Sequence, residues 1–347
     1  MKHPKHIIHK LRGKKSDADS AVPRITTDNV AEHREQVLGS ARKFIYPLQH
    51  TKRRVVTISI WLFGTAIIVF LVACTLALYK FQSSSTFVYD VTKVLPFPVA
   101  RAGGRYVSYE SYLFELRRYQ HYYESQQRLD FSTPDGQKQL ANYKKQAMAK
   151  VETDAYVKNL AEQHNISISD REVNDEVTLL RAQNRLGSSN EVFENVLEEY
   201  WGWSVNDFKR ELKTQLLAQK VAATLDTATR DRANAALAAI QQGTDFGQVA
   251  GQYSDDAATK GNGGQYGSPI ERGNQDIDQQ VLDQIFKLQP GQVSGLINTG
   301  DSLQIVKVID GDNTKRNVAV VVCTFKNIAD YVQPLRKQEP PKQYIGI

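Results

Sequence analysis

Cysteine is scarce in this chain: there are two, Cys74 and Cys323, in 347 residues. Cys74 falls within a long apolar run and Cys323 lies close to the far end. If that run crosses a membrane, the two cannot pair within one chain, so no disulfide framework holds the fold. Histidine is lacking too; none follows His164. Ser254, Asp255 and Asp256 therefore stand together without an imidazole base, which excludes triad hydrolysis there. Phosphate-loop chemistry is also excluded. Gly261 to Gly267 is glycine-rich but lacks the Lys-Ser/Thr ending, and it reads as a turn between a helix and a strand. No metal or other cofactor is expected. His3, His6 and His9 have ligand-like spacing, but no carboxylate or cysteine joins them to close a site.

Positive charge is missing from most of the chain. The formal net charge is +6, yet residues 1–54 alone hold 13 Lys/Arg against 5 Asp/Glu. Residues 55–79 carry no formal charge, and residues 80–347 carry 31 basic and 33 acidic side chains. That balance argues against a nucleic-acid partner and for a membrane-topology signal.

What is present begins with Val55 to Tyr79, VVTISIWLFGTAIIVFLVACTLALY. As a helix it spans roughly 37 Å, enough to cross a bilayer core of about 30 Å with some tilt. The run is too long, and too far from Met1, for a cleaved signal peptide. Lys52, Arg53 and Arg54 directly precede it. The positive-inside bias then puts residues 1–54, read as a mostly disordered basic tail, in the cytoplasm and residues 80–347 outside. Trp61 and Tyr79 lie near its two ends, as interfacial aromatics do.

Beyond a linker at 80–95, Pro96 to Val107 reads as a hairpin turning at Gly103-Gly104. Ser108 is placed to cap the next helix, on which Tyr112, Leu116, Tyr119 and Tyr123 share one face. That stripe reads as packing, with a peptide-binding surface as the alternative. Residues 135–163 form a long amphipathic helix. Ser169-Asp170-Arg171-Glu172 is a capping box. Asn190 is read as the cap of a helix running through Glu199, and Ser204 and Asp207 open another from Val205 to about Leu225.

The densest information lies in Asp245 to Val308: DFGQVAGQYSDDAATKGNGGQYGSPIERG, then LDQIFKLQPGQVSGLINTGDSLQIVKV. Helical pieces flank the glycine-rich loop, Pro290-Gly291 breaks the second helix, and Leu303 to Ile309 is of strand type. This run resembles the parvulin-type peptidyl-prolyl isomerases, whose core carries DF-x-x-(L/V)-A-x-x-YS-D, GG-x-(L/Y)-G, F-x-L-x-PG-x-(V/I)-SG and a strand ending I-(I/V)-K-V. Pro96 to Leu225 resembles, less specifically, the chaperone domain of SurA- and PrsA-type extracytoplasmic foldases, through its helix order and the ISISDREV and FKRELKTQLLAQKV segments. The resemblance implies an α+β chain: a transmembrane helix, an all-α chaperone-like domain (96–225) and a parvulin-like domain (226–333) with a small antiparallel sheet, then a tail (334–347).

Prolyl isomerisation needs no covalent step. It needs an apolar cup for the ring and polar groups that favour the twisted amide over its planar states. The resemblance puts the family's Cys/Asp position on Asp256, its closing-strand histidine on Gln304, its cup methionine near Gln275 and its cup phenylalanine near Val281, with Leu282 and Phe286 beside it. Both family histidines are absent. The family's opening strand is missing as well, since the helix from Thr229 to Gln242 follows directly on the previous one. Asn317 to Phe325, NVAVVVCTF, is an uninterrupted β-branched run suited to a strand buried on both faces. It is expected to fill the central slot of the sheet in a permuted arrangement, which puts the first family histidine at about Val320 and makes Cys323 a small buried residue.

Three functions are expected, two of them from the resemblance. One is a membrane-anchored foldase acting on unfolded or proline-containing polypeptides. Another is a catalytically inactive holdase of the same design, which the lost histidines favour. The third is an assembly protein docking a membrane partner.

Overall fold

The computed structural model describes residues 26–45, 48–182 and 189–347. His3, His6 and His9 lie outside the described residues. Chain contacts divide it at Val72/Ala73.

In the first unit, Thr27–Ile45 forms helix α1 and Leu48–Thr75 forms α2, which passes into the second unit. The sequence reading assigned no element to the basic tail, so α1 is a correction. Asp28 sits in its first turn, where a carboxylate favours helix initiation, and no Pro interrupts it. Arg54–Lys80 is long and apolar enough to cross a membrane, and from Arg54 to Ala73 it is exposed apart from half-buried Gly64.

Within the second unit the apolar helix widens, past Thr75, into a π-turn, Leu76–Lys80. Leu78 is fully buried in the core that follows, and the Tyr79 hydroxyl donates to Pro98 O at 2.6 Å. Tyr79 is thus packed edge-on to Tyr109 inside the body, not free at an interface. Next come α3 (Thr86–Val94), β1 (Pro98–Ala102) and β2 (Arg105–Ser108). β1 and β2 pair antiparallel across Gly103 and Gly104, both at positive φ. Five helices follow: α4 (Tyr109–Ser125), α5 (Pro134–Gln163), α6 (Asp170–Ala182), α7 (Asn190–Trp201) and α8 (Val205–Leu225).

Local hydrogen bonds set where these helices start. Ser108 accepts from Ser111 N, Ser169 and Glu172 close a capping box, and Ser204 and Asp207 close another. The cap of α7 is Ser189, one residue before the expected Asn190, whose amide oxygen instead accepts from Arg181 Nη1 at 2.6 Å. Tyr112 and Leu116 are buried, and Tyr119 and Tyr123 stack on Tyr143 of α5. The aromatic stripe is a packing face.

The chain then leaves this body through α9 (Thr227–Gln241), α10 (Phe246–Tyr253), α11 (Ala257–Lys260), β3 (Ile270–Glu271), α12 (Gln279–Lys287), β4 (Ile297–Asn298), β5 (Ser302–Gly311) and β6 (Lys315–Thr324). It returns as α13 (Ile328–Gln338) and β7 (Lys342–Gln343). The second sheet has the order β3-β6-β5-β4, all antiparallel. β6 is therefore central, paired with β5 from Leu303↔Cys323 to Val308↔Val318. Its alternate residues bury on both faces. Ala319, Val321 and Cys323 pack against α9 and α10, and Val318 and Val320 pack against α12.

Two carboxylates bind the ends of this excursion to the helical body. Asp226 caps α9 and accepts from Lys326 N at 2.8 Å. Burial works against its charge, but those N–H bonds outweigh it and hold its pKa down. Glu152 of α5, almost wholly buried, accepts from Arg336 Nη2 at 2.6 Å and Gln343 Nε2 at 2.7 Å. β7 extends the first sheet on β1, and Val332 and Ile345 enter the same core as Leu78.

Candidate functional site

The Tyr253-Ser254-Asp255-Asp256 segment leaves α10 beside β6, and its polar groups bind that strand. Buried Ser254 Oγ accepts from Val322 N at 3.1 Å, and Asp255 N donates to Val322 O at 2.7 Å. Asp255 also accepts from Thr324 N at 2.9 Å and takes both Arg232 guanidinium Nη groups. The motif is thus first a docking device for the central strand. Cys323 lies beneath it with its thiol pushed up by burial, so it is not poised to react.

Asp256 completes the turn as the cap of α11. Its carboxylate accepts from Ala258 N at 3.2 Å and from the Thr259 hydroxyl. The glycine-rich loop then crosses the outer side of β6. Val320 N donates to Gly264 O at 2.8 Å and Tyr266 N to Val318 O at 3.1 Å. An open depression of about 590 Å³ results, lined by Asp255, Asp256, Gln265, Tyr266, Gln304 and Val322, among others.

Asp256 and Gln304 are therefore brought together. Gln304 pairs in register with Val322 and donates from Nε2 to Ser302 Oγ at 3.1 Å. The remaining residues expected at the site are placed elsewhere. Val281, Leu282 and Val320 are buried in the core between α12 and the sheet, because α12 turns its apolar face down onto β5 and β6. In this conformation they offer a ligand no surface. Phe286 is half-buried between the guanidinium groups of Arg272 (4.5 Å) and Arg316 (5.9 Å). Gln275 is exposed and outside the depression.

Sequence reasoning missed Tyr266, although it stands in the GG-x-(L/Y)-G turn. Burial, then the nearby Asp256 and Asp278 carboxylates, push its phenol pKa up, so it stays a neutral hydroxyl. The depression thus combines an acid, an amide and a phenol. It can hydrogen-bond a peptide backbone, but no imidazole faces it.

The helical body has a second depression of about 250 Å³, lined by Tyr89, Phe114, Trp201, Trp203, Arg117 and Arg118, among others. Phe114 and Trp203 stack at 5.1 Å, and Arg118 lies 5.6 Å from the Trp203 ring. Flat aromatics backed by guanidinium groups suit an extended polypeptide.

The family model described as the SurA-like N-terminal domain matches residues 48–222, just over half of the chain. The chain belongs to that family. The model of the PPIC-type PPIase domain matches residues 216–310 of this SurA-like chain. Its match stops short of β6. No curated protein matches the chain. Among solved structures, a peptidylprolyl isomerase (PrsA) from Bacillus anthracis is similar at 19% identity over 52% of this chain and 82% of its own, with a TM-score of 0.16. A superposition that low carries no argument. The two family matches support a foldase or chaperone.

Proposed function

We propose that this chain is a membrane-anchored, extracytoplasmic foldase-type chaperone that holds unfolded or proline-containing polypeptides, and that its parvulin-like domain serves as a peptide clamp. The carrying observation is the composition of the depression at Asp256. Polar groups able to bind a backbone remain there, both imidazoles are absent, and the apolar positions aligned with the family's cup are closed into the core. Catalysis requires groups that favour the twisted amide over the planar one, and a site binding both equally gains nothing in rate.

Supporting the anchor are the Arg54–Lys80 helix and the charge excess before it. Supporting a permuted domain are the central place of β6 and the family match ending at 310. The layout proposed is a chaperone-like region at 96–225 and an isomerase-like region at 226–333, with residues 334–347 returning to the former.

The test is binding of a reduced, carboxymethylated and permanently unfolded protein by the full chain in nanodiscs. Trp203→Ala, with helix content checked by circular dichroism, is expected to weaken binding about tenfold, the scale of losing one aromatic anchor. Absence of binding to unfolded chains, with a fixed complex with one folded membrane protein instead, would establish the assembly reading in its place.

A further inference from the structure

The segment from Phe81 to Phe97 begins and ends at the exit of the apolar helix. Tyr109 ties the two ends. Its hydroxyl donates to Leu78 O at 2.6 Å, and its own N–H donates to Phe97 O at 2.6 Å. Tyr79 adds a third tie, through its hydroxyl to Pro98 O. Phe97, three residues past the end of α3, therefore stands within one tyrosine side chain of Leu78 and Tyr79.

Between these ties, α3 buries Val88 and Thr92 and packs against α4. The flank beside that buried face carries Phe87, half-buried Val91 and Val94, spaced i, i+4, i+7, while Thr86, Asp90 and Lys93 lie opposite it. Phe87 is 65% exposed and Val94 81%, and Phe81, next after the helix, is 70% exposed. Single exposed apolar residues need no explanation. These three follow the apolar helix closely in sequence, with Lys80 before them and Lys93, paired with Asp90, among them. Lys80 Nζ lies 5.9 Å from the Phe81 ring. Apolar and aromatic groups on one side with flanking lysines is the composition of a helix lying in a bilayer interface.

We infer that Phe81 and the flank of α3 bearing Phe87 and Val94 rest in the headgroup region of the bilayer that the chain's own helix crosses, so that the body is seated on lipid. The inference rests on the membrane-anchored reading above. It gives the linker a function: the aromatic depression bordered by Tyr89 and Lys93 of α3 would open close to the membrane surface, where an emerging chain first arrives.

The test uses the full chain carrying Cys74→Ala and Cys323→Ala, in nanodiscs of phosphatidylcholine and phosphatidylglycerol. Single cysteines replace Phe81, Phe87 or Val94 and carry an environment-sensitive dye; Ile68→Cys and Gln275→Cys serve as references. We expect the dyes at 81, 87 and 94 to shift to shorter wavelength and to be quenched by headgroup-level nitroxide lipids, while the dye at 275 does neither. Dyes at 87 and 94 that behave like the one at 275, while the one at 68 is quenched by chain-level nitroxides, would overturn the inference and leave the anchor standing. Dyes shielded from water but unquenched by lipid would also overturn it, because a second copy or a bound polypeptide then covers the face. An unquenched dye at 68 would overturn the anchored reading, and this inference with it.

Discussion

Gly264 shows how one residue joins the glycine-rich loop to the sheet. Its φ is +82°, and a Cβ there would lie 2.5 Å from Val320 O on the central strand. Gly264→Ala is therefore expected to destabilise the isomerase-like region, by roughly 1–3 kcal/mol from the backbone conformation alone and further from the clash. A lowered denaturant midpoint in the full chain would show it; an unchanged midpoint would mean that the loop does not lie against β6. The glycine was legible as part of a motif, but its neighbour was not. The same holds for Ser254, whose hydroxyl serves Val322, 68 residues away. Asp256 and Gln304 could be aligned from the sequence, and the structure brings them together. Val281, Leu282 and Val320 could be aligned too, but an apolar residue in sequence does not reveal whether it faces a cup or a core. Tyr266 stood in the motif without distinction, because the depth of a phenol depends on the strand it crosses.

Among elements, the meeting of α4, α5 and α8 holds a largely buried ion cluster. Lys150 of α5 pairs with Asp154 (2.7 Å) and with Glu211 of α8 (3.3 Å); Glu115 of α4 lies nearby, bound to Arg118 at 2.9 Å, and Lys158 adds positive charge near Asp154. Burial raises the Asp154 and Glu211 pKa values despite the lysine. A carboxyl with a raised folded pKa contributes stability fully present below its unfolded pKa and lost as pH rises through the folded one. Lys150→Met removes the compensating cation, so we expect a loss of about 3–5 kcal/mol that grows as pH rises above the ordinary carboxylate range. A pH-independent loss would mark a packing defect instead. Glu172 has the opposite sign: hydrogen bonds from Lys220 and Ser169 lower its pKa to about 2, so its contribution is present above the ordinary carboxylate range and fades in acid. Caps at Ser108, Ser169 and Ser204 were readable because they act within four residues. The ion cluster was not, since it joins side chains from three helices. The α7 cap was displaced by one residue because Ser189 and Asn190 are both good caps and only the backbone decides between them.

For the whole molecule, the order of elements was largely legible, including β6 as the partner of β5, because an unbroken β-branched run has few other places to go. The return of the chain end was not. Residues 334–347 read as a tail, and only the structure shows α13 and β7 closing on α5 and β1 through Glu152. Polar sequences of that kind bury through partners far away in the chain, which no local pattern reports. The clamp reading makes its sharpest statement about rate. Exchange NMR on a proline-containing peptide mixed with the full chain in nanodiscs measures it directly. We expect the peptide to bind while its cis and trans forms interconvert at the uncatalysed rate, over tens to hundreds of seconds, with Asp256→Asn and Gln304→Ala leaving that rate unchanged. Fast exchange that disappears in either variant would contradict the clamp and make this domain a working isomerase.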